Sequence, residues 1–107
     1  MDIGGMMKQA QAVQQKMAAA QAEIERLVLV GTSGDGLVKV TLAGTGSIQC
    51  IDIDESLMVP GEADMVGDLV AAAHANAKQA LDARTGELMK AAAGPLAGLN
   101  LPGMPKF

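Results

Sequence analysis

The chain contains almost no aromatic side chains: it has neither Trp nor Tyr, and its single Phe is Phe107. Single-strand binders and RNA-recognition sheets stack bases on aromatic rings, so any nucleic-acid partner is expected to be a duplex contacted at its phosphates. The core must be built from Ala, Val, Leu, Ile and eight Met, which pack as thin, adaptable layers. In a chain of 107 residues, such a core favours a second copy that thickens it.

Cysteine and long apolar runs are scarce as well. Because Cys50 is the single cysteine, no intramolecular disulfide can form, and its place in an apolar strand favours an inert, buried thiol. Residues 1–10 lack the apolar run of a secretory signal, and no stretch approaches the roughly 20 residues of a membrane span. We therefore expect a soluble, cytoplasmic protein that does not enter membranes.

The acidic residues offer one candidate for chemistry. Asp52, Asp54, Glu55 and His74 could hold a hard metal ion or act in acid–base catalysis. A stronger interpretation is that Asp54 and Ser56 lie where a strand leaves the sheet and bond to the backbone. No nucleophile, base and orienting group are assembled, so we expect no enzyme, no catalytic residue, no metal, no cofactor and no small-molecule substrate.

Hydrophobic periodicity predicts a long first helix. Apolar residues recur at alternating spacings of four and three, which is typical of a heptad seam. The seam consists of Met6, Ala10, Val13, Met17, Ala20, Ile24 and Leu27. Such a seam needs something to pack against, and two alternatives remain open: the chain's own sheet, or a seam shared between two chains.

Three short strands are predicted at residues 27–30, 37–43 and 48–53, joined by glycine-rich turns in an antiparallel meander. The turn at residues 33–36 supplies the positive-φ positions of a tight hairpin. In the third strand the apolar positions change phase after Cys50, which predicts a bulge or a strand buried on both faces. A second protomer would cover the exposed edges of so small a sheet.

The second helix is expected to begin after Pro60 and Gly61 and to end at Gly94-Pro95, with a frayed or bent section beyond Gly86. The chain is therefore expected to be an α+β protein with the order α-β-β-β-α. We predict one domain over residues 1–95 and a flexible C-terminal tail over residues 96–107.

The net charge of −4 is unevenly distributed. Seven acidic residues and one lysine lie between residues 31 and 68, whereas four basic and two acidic residues follow from residue 69 onward. The acidity therefore belongs to the sheet and the start of the second helix, which leaves room for a weak, local basic surface on the helices.

Five segments match a known family in order and spacing: residues 4–25, 30–46, 51–58, 68–77 and the closing LNLPGMPKF. Together they resemble the YbaB/EbfC family of bacterial nucleoid-associated proteins. The resemblance implies a homodimer made mainly through the sheets, with helices projecting like tweezers. It also implies a nucleoid protein that binds duplex DNA, alters DNA conformation and contributes to nucleoid organisation and gene regulation.

Within this resemblance the DNA contacts fall on the helices, because the third strand carries Gln49 and Cys50 where relatives often have basic residues. The predicted phosphate contacts are Lys8, Lys16, Lys78, Arg84 and Lys90. Those of the second helix are six residues apart and so spiral around its axis. The alternative is a protein-interaction or assembly module that recruits a protein partner through the C-terminal tail, with incidental DNA binding.

Overall fold

A computed structural model describes residues 3–94 of the chain; the expected tail at residues 96–107 lies outside them. The helices are α1 (Ile3–Glu25) and α2 (Ala63–Ala92), and the strands are β1 (Val28–Ser33), β2 (Val38–Ala43) and β3 (Ile48–Ile53). A short 3₁₀ turn, Glu55–Leu57, leads from β3 toward α2. The α+β class and the α-β-β-β-α order are confirmed.

The sheet is an antiparallel meander in the order β1-β2-β3. In the turn between β1 and β2, Gly34, Asp35 and Gly36 have φ values of 58°, 56° and 88°, as the glycine-rich turn predicted. The first strand, however, extends three residues beyond its predicted end, to Ser33. Gly31 lies inside this strand rather than in a turn, and it pairs with Val40 of β2.

The third strand contains a bulge. Thr41 pairs with Cys50 but Leu42 pairs with Ile48, so Gln49 is an extra residue without a partner on β2. Within one chain β3 is not buried on both faces, because only Ile53 of β3 is even half-buried. Cys50 is likewise exposed, contrary to the buried thiol that its apolar surroundings in the sequence favoured.

The reason for this exposure is that α2 packs on β1 and β2 and hardly touches β3. The core lies in that interface and consists of the buried residues Val38, Val40, Leu42, Ala73, Ala77 and Leu81. A Cβ atom built on Gly31 would lie 2.1 Å from the Ala73 carbonyl oxygen and 2.3 Å from the Ala77 backbone nitrogen. Only glycine allows the β1 backbone to approach the α2 backbone this closely.

Two hydrogen bonds also join β1 to α2. The backbone N–H of Thr32 donates to Asn76 Oδ1 at 3.1 Å, and Ser33 Oγ donates to the Leu69 carbonyl at 2.5 Å. Because β1 is an edge strand, the Asn76 side chain supplies an acceptor that no neighbouring strand offers to Thr32. The β1 edge is therefore partly occupied by α2, whereas β3 forms the other edge of the sheet.

Within one chain the α1 seam does not pack on the sheet, because its neighbour is the chain's own α2. The alternative of a seam shared between two chains stays a prediction. On α1, Ala20 and Ile24 are buried. On α2, one row of buried or half-buried residues after Ala77 is spaced by four, three and four, which continues a heptad pattern. These residues are Leu81, Thr85, Leu88 and Ala92, and Ala80 and Met89 beside them are half-buried as well.

We call α1 together with residues 78–92 of α2 the arm. The end of α1 is held against the turn between β2 and β3, where a Cβ on Gly44 would lie 1.5 Å from the Ile24 carbonyl oxygen. Helix α2 runs unbroken through Gly86, so the expected fraying does not occur before Ala92. The neighbouring α1 seam explains this continuity, since tertiary packing outweighs the propensity cost of one glycine.

The molecule is elongated as a result. Its extents are 72 × 24 × 18 Å and its radius of gyration is 19.8 Å, against about 13 Å for a compact chain of this length. Helices therefore project from the sheet, as expected. Within residues 3–94, neither helix combines the length and the apolar character that crossing a bilayer requires.

Replacing Gly31 by Ala is expected to destabilise the protein by at least about 3 kcal/mol, because the new methyl group overlaps α2 backbone atoms that cannot move aside. The matched control is Gly67→Ala, since a Cβ on Gly67 meets nothing within 4 Å. In that helical position alanine should stabilise by about 0.5–1 kcal/mol. Urea unfolding at one fixed protein concentration measures both; equal stability of the two variants would contradict the close approach.

Candidate nucleic-acid interface

All five residues predicted to contact phosphates lie on the arm, and all five are exposed. Lys8 and Lys16 are on α1, whereas Lys78, Arg84 and Lys90 are on α2. The structure thus brings them onto one projecting element but does not gather them into one cluster. Because α2 is continuous, its three cations are separated by steps of about 600° and point in three directions.

Two of the three α2 cations are engaged by carboxylates of the same helix. Lys78 Nζ lies 2.5 Å from Asp82 Oδ1, and Arg84 Nη1 lies 2.8 Å from Glu87 Oε2. All four side chains are about half exposed or more, so each ion pair is worth less than about 1 kcal/mol. The carboxylates nevertheless neutralise this part of α2, and a phosphate must compete with them for each cation.

The two sides of the arm differ in how their charges are paired rather than in how many charges they carry. From Ile3 to Arg26 the chain carries three basic and two acidic residues, and residues 78–92 of α2 carry the same numbers. Among residues 3–94, the ion pairs within 4 Å are the two on α2, so Lys8, Lys16 and Lys90 have no carboxylate partner there. The unpaired cations of the arm therefore lie mainly on α1.

Arg26 is an exposed cation that the sequence reasoning did not include. It directly follows the last residue of α1, and its N–H donates to the Glu23 carbonyl at 3.1 Å, so a final turn continues the helix. The signal was present in the sequence as a basic residue at the end of an amphipathic helix.

Asp54, at the exit of the sheet, has a structural role. Asp54 Oδ1 accepts a hydrogen bond from the Ser56 N–H at 2.9 Å and caps the 3₁₀ turn. Hydrogen bonds from the Ser56 side chain and backbone hold the pKa of Asp54 below its usual value, because they stabilise the carboxylate. In the described part of the chain, no group of three or more His, Cys, Asp or Glu residues could hold a metal ion.

A second exposed surface is apolar and lies on the sheet. The strand register places Ile48 and Ile51 of β3 on the same side of the sheet as α2, yet they remain 51% and 43% exposed. Val28 and Val30 of β1 lie on the opposite side and are 59% and 54% exposed. Neither side is fully covered within one chain, which is typical of a sheet that packs against something else.

The helix order and the exposed cations define a small α+β protein whose paired helices project from a three-stranded sheet and carry most of its basic side chains. The model of the YbaB/EbfC DNA-binding family matches residues 1–96. The chain therefore belongs to this family of nucleoid-associated DNA-binding proteins.

Curated relatives agree with this assignment, and a solved structure shares the fold. The chain is 55% identical to a nucleoid-associated protein of Phenylobacterium zucineum, over 99% of this chain and 97% of that protein. It is also 55% identical to a nucleoid-associated protein of Caulobacter sp. strain K31, over 96% of each. The crystal structure of an uncharacterized protein from Helicobacter pylori shares the fold, with a TM-score of 0.64 at 20% identity, over 82% of this chain and 92% of that one.

Replacing Asp82 by Asn is expected to tighten duplex-DNA binding by about threefold to tenfold at low salt, because it frees the Lys78 ammonium for a phosphate. The control is Asp35→Asn, which changes net charge equally but lies in the turn between β1 and β2, where the left-handed backbone tolerates Asn. Fluorescence anisotropy with a labelled duplex measures both. Equal affinities for the two variants would contradict a role for the ion pair.

Proposed function

We propose that this protein is a non-enzymatic homodimer that binds duplex DNA with low sequence preference in the nucleoid. It alters DNA conformation and thereby contributes to nucleoid organisation and gene regulation. The observation that carries the proposal is membership of a DNA-binding family over residues 1–96. In the described part of the chain, the unpaired basic side chains lie mainly on the projecting arm.

The chemistry of the arm supports phosphate contacts rather than base readout. The proposed contacts are Lys8, Lys16, Lys78, Arg84 and Lys90, and lysine contacts to phosphates fix position without reading sequence. Lys78 and Arg84 must first exchange a carboxylate for a phosphate, so they contribute less than the unpaired lysines. Low sequence preference follows from this set of contacts.

The acidic net charge is compatible with DNA binding because of the arm's length. Lys8 lies about 24 Å along α1 from Ile24, where the helix meets the sheet. This distance is about three times the Debye length of roughly 8 Å at physiological ionic strength. The carboxylates of the sheet and its exit are therefore largely screened from a phosphate held at Lys8.

The uncovered third strand supports the homodimer. The β1 edge is tied to α2 by Asn76, whereas β3 is an exposed edge with Ile48 and Ile51 beside the core. Covering this strand with a second copy would bury the apolar side chains and remove the free edge. A twofold dimer then presents two arms, which can contact one duplex at separate places and change its path.

We expect steep salt dependence in a fluorescence anisotropy titration of a labelled duplex of about 30 base pairs. If a dimer engages about 4 to 6 phosphates, the log–log slope should be near −4 to −5. Changing the five proposed contacts together to Gln should flatten it, whereas Lys39→Gln in β2 should not. A slope near zero would contradict phosphate binding, and no binding at low salt would favour the protein-interaction module instead.

Replacing Ile51 by Glu is expected to convert the dimer to a folded monomer, because the side chain is exposed within one chain but would be buried between two. The matched control is Val28→Glu, on the opposite side of the sheet, which should remain dimeric. Analytical sedimentation at micromolar concentration, with circular dichroism, measures both. A monomeric wild-type protein would contradict the homodimer, and a monomeric Val28→Glu variant beside dimeric Ile51→Glu would contradict the use of β3.

A further inference from the structure

Lys8 and Arg26 lie on one line along α1. They are 18 residues apart, which is about five turns of an α-helix, so their side chains leave the axis in the same direction about 27 Å apart. A 3₁₀-type turn, closed by the hydrogen bond from the Arg26 N–H to the Glu23 carbonyl, carries the chain from the end of α1 to Arg26. Ile24, which is buried against α2, lies about 160° around the axis, so this line faces away from the arm's seam.

Between these cations, the side chains within about 40° of the line are small or neutral. We call the whole set the outer strip; it consists of Lys8, Ala12, Gln15, Ala19, Ala22 and Arg26. Every one of its members is exposed. The nearest carboxylate on α1 is Glu23, which lies about 60° to one side, and it forms no ion pair with the described basic residues. The strip itself contains no acidic residue.

This strip differs from the basic surface of α2 in the availability of its charges. Lys78 and Arg84 are each paired with a carboxylate, whereas Lys8 and Arg26 have no carboxylate within 4 Å among residues 3–94. Binding a phosphate at the strip therefore breaks no described ion pair. The alanines also let a sugar–phosphate backbone approach the helix closely, and the Gln15 amide can donate a hydrogen bond without a counterion.

We propose that the outer strip is the surface of α1 that lies against duplex DNA, and that Arg26 is a phosphate contact. This inference rests on the proposed duplex binding and deepens it. Because Lys8 and Arg26 stand about 27 Å apart, they reach separate backbone segments within one helical turn of about 34 Å rather than neighbouring phosphates. One copy thus spans most of a DNA turn along a single helix.

The first test replaces Arg26. Losing one phosphate contact lowers the salt slope by about 0.9, so Arg26→Gln should flatten it by about 1.8 for a dimer, as measured by anisotropy. Arg26→Lys should keep the wild-type slope because the charge is retained. If Arg26 had only a structural role, Arg26→Gln and Arg26→Lys would change thermal stability but would have equal salt slopes. That result would overturn the assignment.

The second test compares two neighbouring glutamines. Gln15→Glu places a carboxylate in the middle of the strip, whereas Gln14→Glu makes the same change about 120° from the line. At about 50 mM salt, we expect Gln15→Glu to weaken binding roughly tenfold and Gln14→Glu less than about threefold. Both positions are exposed, so both variants should fold, which circular dichroism checks.

The possible results distinguish the outer strip from the proposed duplex-DNA binding on which it rests. If the wild-type protein binds with a steep salt slope but the two glutamine variants are equal and Arg26→Gln keeps the slope, the outer strip is overturned and duplex binding stands. If the wild-type protein shows no salt-dependent binding, both proposals are overturned. A flattened slope for Arg26→Gln, with unequal glutamine variants, establishes the strip.

Discussion

The contact on which the rest of the structure depends is the close approach of β1 to α2 at Gly31. The absence of a side chain there brings the Ala73 and Ala77 backbone against the strand, and the next two residues of β1 add hydrogen bonds to Asn76 and Leu69. Because alanine on α2 meets glycine on β1, the two backbones are in direct contact and α2 has no room to tilt or slide against the strand there. The position of α2 across the sheet is therefore fixed at one point near its middle.

Two consequences follow from this crossing point. Because α2 lies over β1 and β2, the apolar side chains of β3 have no cover within one chain, which creates the surface that favours a second copy. Because about half of α2 extends past the sheet, it becomes the neighbour of the α1 seam and forms the arm. The same contact thus produces both the sheet surface and the projecting basic element, and it separates the acidic from the basic part of the molecule.

Much of this fold was predictable from local patterns, and the remainder depended on distant residues. The spacing of the apolar residues predicted the order of helices and strands. The change of phase of the apolar positions near Cys50 predicted the bulge at Gln49. Gly31 falls outside the predicted first strand, because its role depends on Ala73 and Ala77, more than forty residues later in the chain. The heptad seam indicated that α1 needs a neighbour, but periodicity cannot identify which helix supplies it. Arg26 was not among the predicted contacts, although the predicted seam runs past it to Leu27.

The charge arrangement explains how an acidic protein can belong to a DNA-binding family. Net charge describes the average field at long range, but a duplex held at the arm senses mainly the charges within about one Debye length. Among residues 3–94, the cations of α1 are unpaired, whereas two of the three cations of α2 are held by carboxylates through pairs worth less than about 1 kcal/mol each. Because those pairs are weak, a phosphate that reaches α2 can displace the carboxylates at little cost. The arm therefore offers cations on α1 that break no described ion pair when they bind a phosphate, and further cations on α2 that must first be released from their carboxylates.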